Sequence, residues 1–565
     1  MSTTHHPSRD PDDVAGRAAA SMLGPNPFVG LRGSDILAGA GTLVGKALAH
    51  PGIVLEQEAR MARELIAMLV GNSELAPAAG DKRFVDEAWT SNPFYRMVLQ
   101  GHLAWTKALG GLVQRVPLDD AGRERASFVV SLITDALAPT NTLLGNPSAL
   151  KRFIDTGGTS AVKGLRNMLQ DLFTNRGMPT QTDMKAFEVG KSVAVSPGAV
   201  VFRNEVLELI QYAPTTETVH ARPMLLIPPQ INKFYVFDLA PGKSIVEFLV
   251  AGGLTTFCVS WRNPTAKQRD WDLDTYVGAL LEAIDAVRAI TGARDLNLQG
   301  ACSGAMTMTA LLGHLAASGR KLAHSATLMV AVLDNRAESQ LGMFATQASI
   351  AAAKRASKRK GVLEGQEMGR VFAWMRPNDL VWNYWVSNYL MGKDPPVFDI
   401  LFWNNDTTRL PAAFHSQLLD SFAGNSFVTS GAMTIRGTPL DLGRVDCDKF
   451  VVAGITDHIT PWKGVYNTAR AFGGPNRFVL SSSGHIQSLI NPPGNPKSKY
   501  WVNDALPEDP EAWLDGATLQ PGSWWGLWRD WLAERSGSRR KARSALGNAR
   551  YPALDPAPGR YVREP

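Results

Sequence analysis

The feature that most constrains this chain is a short apolar run that enters Gly300-Ala301-Cys302-Ser303-Gly304 and passes at once into a helical stretch, Ala305 to Leu315. Asp295-Leu296-Asn297-Leu298-Gln299 predicts a short buried strand. A strand that turns into a helix so abruptly forces the residue at the turn into a strained backbone conformation, and side chains on either flank would collide with the packed strand and helix. Small flanking residues are therefore required, and one side chain is lifted clear of the sheet. Here that side chain is a thiol. A thiolate is a strong nucleophile and exchanges readily with a thioester, so the turn points to acyl transfer from a thioester rather than to ester hydrolysis. The motif alone fits a buried structural cysteine equally well, so the rest of the chain has to decide.

At 565 residues the chain is too long for one compact core, and two domains are expected. Its 45% hydrophobic and 19% charged content suits a globular protein. The formal net charge of +6 is compatible with an anionic substrate and does not demand nucleic acid. The basic residues do not interleave with aromatics in a nucleic-acid-binding pattern, so no nucleic-acid partner is expected. The three cysteines, Cys258, Cys302 and Cys447, form no C-x-x-C pair, which suggests neither a disulfide framework nor a metal site. Cys258, inside Thr255 to Ser260, and Cys447, ahead of a strand, read as structural. A reducing cytoplasm fits all three. Met1 to Asp13 is polar and lacks the apolar region of a secretory signal. No apolar run reaches the ~18 residues of a transmembrane helix. A soluble protein is expected, one that can still sit on a hydrophobic surface.

Along the chain, residues 1–25 read as disordered and Asp35 to Asn175 as helices, with Met61, Leu65, Met68 and Leu69 at helical spacing. Together these give a mainly helical amino-terminal domain over 1–185. Phe187 to Val195 and Ala199 to Asn204 predict paired strands around Ser196-Pro197-Gly198. Strands are then expected at Met224 to Ile227, Thr255 to Ser260, ahead of Cys302, and at Ser325 to Leu333, with a helix over Tyr276 to Ile290. Continuous apolar strands separated by helices imply a parallel sheet covered on both faces. The alternation breaks over about 334–446 and resumes with Lys449 to Ala453 and Arg477 to Leu480. The break reads as a cap or lid inserted into a catalytic domain spanning 186–565. It holds Trp374, Trp382, Trp385 and Trp403, a plausible water barrier, and a basic run of Lys354, Arg355, Lys358, Arg359 and Lys360 that reads as a solvated helix face rather than a phosphate clamp.

Two further carriers of chemistry follow strands. Gly454-Ile455-Thr456-Asp457-His458 comes after the strand ending at Ala453, and Gly484-His485 after the strand ending at Leu480. Loops at the carboxyl ends of parallel strands build ligand sites. Nucleophile, acid and histidine in that chain order are the arrangement of an α/β-hydrolase. Asp457 then stands as the acid and His485 as the base. His458 competes for the second role, but neighbours on one loop rarely face the same partner, which favours His485. The fold class is accordingly α/β, an α/β-hydrolase fold with a cap insertion preceded by a mainly helical domain.

The chain resembles a polyhydroxyalkanoate synthase. The resemblance is carried by His220-Ala221-Arg222-Pro223 through Pro228-Pro229-Gln230-Ile231-Asn232-Lys233, by Val259-Ser260-Trp261-Arg262-Asn263-Pro264, by the turn around Cys302, by Asp457-His458-Ile459-Thr460-Pro461-Trp462, and by Gly484-His485-Ile486 through Asn491-Pro492-Pro493. Asp379 to Trp385 and Phe402 to Pro411 look most like the single-subunit, medium-chain class (class II). Ala305 departs from the glycine usual in the family after the second glycine of the turn, which puts helix packing there in question.

The resemblance implies (R)-3-hydroxyacyl-CoA as substrate, a growing polyester as product, and no cofactor or metal, CoA being the leaving group. It implies Cys302 as nucleophile and His485 as its base. Asp457 either orients His485 or activates the substrate hydroxyl, and the repeated need to deprotonate a hydroxyl favours the second role. The oxyanion is expected at the backbone amides of Ser303 and of Gln230 or Ile231. A homodimer in the cytoplasm, associated with polyester granules, is expected. Trp524, Trp525, Trp528 and Trp531 are candidates for the granule contact, although their helical spacing more often means core. The rivals are a Cys-dependent thioesterase or acyltransferase of the same fold and a catalytically idle granule protein.

Overall fold

The computed structural model describes residues 29–30, 33–335 and 345–565; the stretch read as disordered, residues 1–25, lies outside them. Two compact units emerge. The first comprises the described residues of Met1–Asp183, Gln340–Thr346 and Arg370–Phe398; the second comprises those of Met184–Ser339, Gln347–Gly369 and Asp399–Pro565.

The first unit is helical, with α1 (Gly33–Ala49), α2 (Pro51–Leu69), α3 (Pro93–Arg115), α4 (Asp120–Ala136), α5 (Pro147–Asp155) and α6 (Thr159–Thr174). Local chemistry sets the starts. The Asn92 side chain accepts from the amides of Phe94 and Tyr95 ahead of α3, and Asp119 accepts from Gly122 ahead of α4. Residues 370–398, from the middle of the segment read as an insertion, belong to this unit. The Tyr389 hydroxyl donates to Asp171 at 2.8 Å, Trp385 Nε1 to the Asn141 carbonyl at 3.0 Å, and Gln181 to the Leu380 carbonyl at 2.7 Å. The insertion's tryptophans are accordingly divided. Trp374, Trp382 and Trp385 stack edge to face in the first unit, while Trp403 lies in the core of the second.

The second unit is built on an eleven-stranded sheet among the described residues. Its strands are β1 (Gly198–Arg203), β2 (Leu207–Tyr212), β3 (Met224–Ile227), β4 (Thr256–Trp261), β5 (Leu296–Ala301), β6 (Ala323–Met329), β7 (Asp448–Gly454), β8 (Asn476–Ser481), β9 (Lys499–Val502), β10 (Thr518–Pro521) and β11 (Asp555–Pro556). The order is β10-β9-β8-β7-β6-β5-β3-β4-β2-β1-β11. The stretch from β8 to β4 is parallel, and the flanking strands are antiparallel. The strands of the parallel centre are almost wholly buried, the signature of a sheet covered on both faces. Helices α7 (Ile245–Ala251), α8 (Leu273–Thr291), α9 (Cys302–Ala317), α10 (Gln347–Lys360), α11 (Trp462–Ala471), α12 (His485–Leu489) and α13 (Trp525–Arg535) complete the elements that matter to the site.

The paired strands expected around Ser196-Pro197-Gly198 form differently. Phe187 to Val195 makes no strand, only a single bridge between Val189 and Val193. Gly190 (φ +88°) and Ala194 (φ +56°) turn the chain there, and Ser196 is tied to Asp238. The antiparallel partner of β1 is instead β2, whose every residue is buried. The basic run lies on α10, whose Arg355, Lys358, Arg359 and Lys360 are exposed, as a solvated face should be. Cys258 is buried in the core cluster of the sheet. Burial pushes the thiol of Cys447 up to about 11.

The tryptophans near the carboxyl end are core, not surface. Trp524, Trp525, Trp528 and Trp531 are all buried. Trp524 Nε1 donates to the Ser488 carbonyl at 3.0 Å and Trp525 Nε1 to that of Leu489 at 3.2 Å, so they brace α12, the helix that begins at His485. Trp528 Nε1 donates to Thr327 of β6 at 2.9 Å. No described helix is long and apolar enough to cross a membrane.

Candidate active site

The β5-to-α9 turn is the strained elbow that the residue pattern predicts. Cys302 adopts φ +48°, a left-handed conformation costly for any residue with a Cβ and tolerated where the surroundings enforce it. Its thiol is half-buried and unpaired by any disulfide. Gly304 is required by contact: a Cβ there would stand 2.4 Å from the carbonyl oxygens of Ile227 and Pro228, backbone that cannot yield. The methyl of Ala305 is fully buried without interrupting α9.

Asp457 and His485 converge from neighbouring parallel strands, β7 and β8. Gly454, at the end of β7, lets their loops touch, since a Cβ there would meet the Ser483 carbonyl at 2.4 Å. His485 Nδ1 lies 2.7 Å from Asp457 Oδ2. A carboxylate only accepts, so Nδ1 carries the proton and Nε2 is the atom left for chemistry. Cys302 lies close enough to the same imidazole to help raise its pKa. The three residues singled out in sequence therefore meet in one place. His458, also buried, is not among the partners of the Asp457 carboxylate.

The carboxylate is fully committed. Oδ1 accepts the backbone amides of Ile459 (2.8 Å) and Thr460 (2.9 Å), and Oδ2 accepts the Thr460 hydroxyl (2.6 Å) as well as the imidazole. Burial pulls the Asp457 carboxyl upward, but the charge and hydrogen bond of His485 and the Thr460 bonds outweigh it and hold the carboxyl below its usual range. Burial opposes a charged imidazole at His485, yet Asp457, aided by Cys302, raises it to about 10.

The loop after β3 is where an oxyanion donor is expected from the sequence. The Gln230 amide donates to Ser303 Oγ at 3.0 Å, so that amide is already engaged. Its side chain donates to Thr307 at 2.8 Å, and its carbonyl accepts the Thr408 hydroxyl at 2.5 Å. Gln230 thereby staples this loop to α9. The Ser303 amide lies in the first turn of α9, where helical amides lack an intrahelical acceptor. Sequence reasoning missed the Ser303–Gln230 staple and the Thr460 hydroxyl. Thr460 lies three residues beyond Asp457, a spacing at which a hydroxyl can return to a loop carboxylate.

The chain that carries this thiol, imidazole and buried carboxylate is similar along most of its length to known proteins. Residues 80–249 match the family described as poly-beta-hydroxybutyrate polymerase N-terminus, and residues 223–492 match the alpha/beta hydrolase fold. Poly(3-hydroxyalkanoate) polymerase 1 of Ectopseudomonas oleovorans is 52% identical, with 99% of this chain and 100% of that one covered. The chain belongs to the poly(3-hydroxyalkanoate) polymerase family. Polymerase 2 of the same organism is 51% identical over 96% of this chain and 97% of its own length. The polymerase subunit of Cupriavidus necator is 42% identical over 88% and 85% respectively. As a member of the polymerase family the chain is an acyltransferase with an α/β-hydrolase domain, as its sequence motifs implied.

Proposed function

We propose that this enzyme polymerises (R)-3-hydroxyacyl-CoA into a polyhydroxyalkanoate polyester and releases CoA through a covalent acyl-thioester on Cys302. The observation that carries the reading is the fully bonded Asp457 carboxylate holding His485 Nδ1 at 2.7 Å, with Cys302 beside the same ring.

The Cys302 proton rests on His485 Nε2, in keeping with a ring charged at neutral pH, and the thiolate attacks the acyl-CoA carbonyl. The amides of Ser303 and Ile231 face the oxyanion. The bond between the acyl carbon and the CoA sulfur breaks, and the CoA thiolate takes the proton back from Nε2. The 3-hydroxyl of another acyl unit then attacks the Cys302 thioester, giving its proton to His485. The ester bond forms and the Cys302 sulfur departs as thiolate beside the imidazolium, which restores the starting pair.

Asp457 acts throughout by orienting His485. Its four accepted hydrogen bonds and buried side chain leave no lone pair directed at a substrate hydroxyl. That reverses the preference drawn from sequence, which gave it the hydroxyl. The chemistry calls for no metal or redox cofactor, because CoA arrives and leaves with the substrate. The segments Asp379 to Trp385 and Phe402 to Pro411 support medium-chain monomers. An insoluble product carries the enzyme, as a homodimer, to polyester granules in the cytoplasm.

The test is one incubation with (R)-3-hydroxyacyl-CoA that follows CoA release and product solubility together. Stoichiometric CoA with sedimenting polymer is expected. CoA with only soluble acid would make the protein a thioesterase instead, and no CoA at all would leave it idle.

A further inference from the structure

The structure assigns Thr460 as a positioning residue for the imidazole, resting on the reading of Cys302, His485 and Asp457 as the reacting set. Its hydroxyl is 2.6 Å from Asp457 Oδ2 and 3.1 Å from His485 Nδ1. Proton accounting leaves one arrangement. The carboxylate oxygen accepts only, so the hydroxyl donates its proton to Oδ2. Nδ1 carries a hydrogen because it also faces Oδ2. The lone pairs of Thr460 Oγ1 therefore face Nδ1–H, and that hydrogen is shared between Oδ2 and Oγ1.

Three atoms, Oδ2, Oγ1 and Nδ1, thus close a triangle at the rear edge of the ring. A single Oδ2 contact leaves the imidazole free to swing about the hydrogen bond; a second acceptor removes that freedom and fixes where Nε2 points. The Thr460 backbone contributes separately, its amide donating to Asp457 Oδ1 at 2.9 Å. Substitution of the side chain leaves that bond in place, so the hydroxyl can be tested by itself. Thr460 is buried and reaches the chemistry only through Asp457 and His485.

The experiment is rapid-mixing measurement of the first CoA release by the full chain, fitted for rate constant and amplitude. Thr460→Val is expected to slow the rate constant roughly tenfold or more, the scale of one hydrogen bond to a charged group. Burst amplitude and the substrate concentration for half-maximal rate should stay at wild-type values. Thr460→Ser, which restores the hydroxyl, should recover the rate. Thr460→Ala, which only removes atoms, makes the same test should the valine variant not fold. A lower amplitude with an unchanged rate constant would mean fewer folded molecules, hence a structural role only, and would overturn the assignment. So would a serine variant as slow as the valine one. Cys302→Ala and His485→Gln are run in parallel: if they too keep the burst, the underlying catalytic reading fails, whereas their silence beside a wild-type Thr460→Val rate sinks this inference alone.

Discussion

Asp457 binds His485 Nδ1 at 2.7 Å with a carboxylate whose two oxygens also accept the Ile459 and Thr460 amides and the Thr460 hydroxyl. A general base for the substrate hydroxyl would need a free lone pair directed into the acyl site. Asp457→Asn should therefore slow acylation itself and show no rapid first release of CoA. Rapid mixing checks this. A full burst followed by stalling would return Asp457 to the hydroxyl.

Cys302→Ala should abolish CoA release with the fold intact, since alanine is smaller than the thiol it replaces at the elbow. Cys302→Ser should retain at most a small fraction, because a hydroxyl is far harder to deprotonate than a thiol. Circular dichroism and thiol release report the two halves. Activity near wild type in the alanine variant would refute the nucleophile.

His485→Gln should cost about 10²–10⁴ in rate, the usual value of a positioned acid–base group. His458→Gln should cost much less, since His458 does not bond the Asp457 carboxylate. Steady-state assays of both variants decide, and a reversed order would exchange their roles.

The protonation of His485 gives a signed prediction. Its pKa is raised from 6.5 to about 10, so the stability it contributes is complete below 6.5 and is lost as pH rises through 10. The lowered Asp457 contributes in the opposite sense, with stability lost as pH falls through its depressed value. In histidine-labelled protein followed by NMR, the ring should still be charged at neutral pH. Asp457→Asn removes the largest raising influence and leaves burial, so the titration should fall far below 10 and towards or below 6.5. A wild-type midpoint near 6.5 would contradict the geometry.

Gly304→Ala should destabilise the second unit by about 1–3 kcal/mol, as overpacking does. It should also displace the Ile227–Pro228 backbone that leads into the oxyanion loop, with which a Cβ would collide at 2.4 Å. Loss of CoA release together with a lower Tm is expected. Unchanged activity and Tm would mean that the turn has slack.

Much of the site was legible in the chain because its parts obey local rules. A strained turn needs small neighbours, so Gly300-Ala301-Cys302-Ser303-Gly304 announces itself. Buried parallel strands read as continuous apolar runs, which placed β3, β5, β7 and β8 and, with them, the loops bearing Cys302, Asp457 and His485. Where local rules gave out, the reading erred. Phe187 to Val195 is as apolar as a strand but is turned by two positive-φ residues.

The sequence by itself determined the fold class and the family and singled out Cys302, Asp457 and His485, since each rests on residue type and spacing along the chain. Tertiary structure alone decided which atoms meet. That Asp457 has no lone pair to spare, that Ser303 takes the Gln230 amide, that Thr460 shares the Nδ1 hydrogen, and that residues 370–398 join the helical unit all depend on contacts between segments far apart in sequence or on the direction of a single side chain. Hydrogen bonds are set by distances of a few tenths of an ångström and by angle, and those are fixed only when the whole sheet has packed.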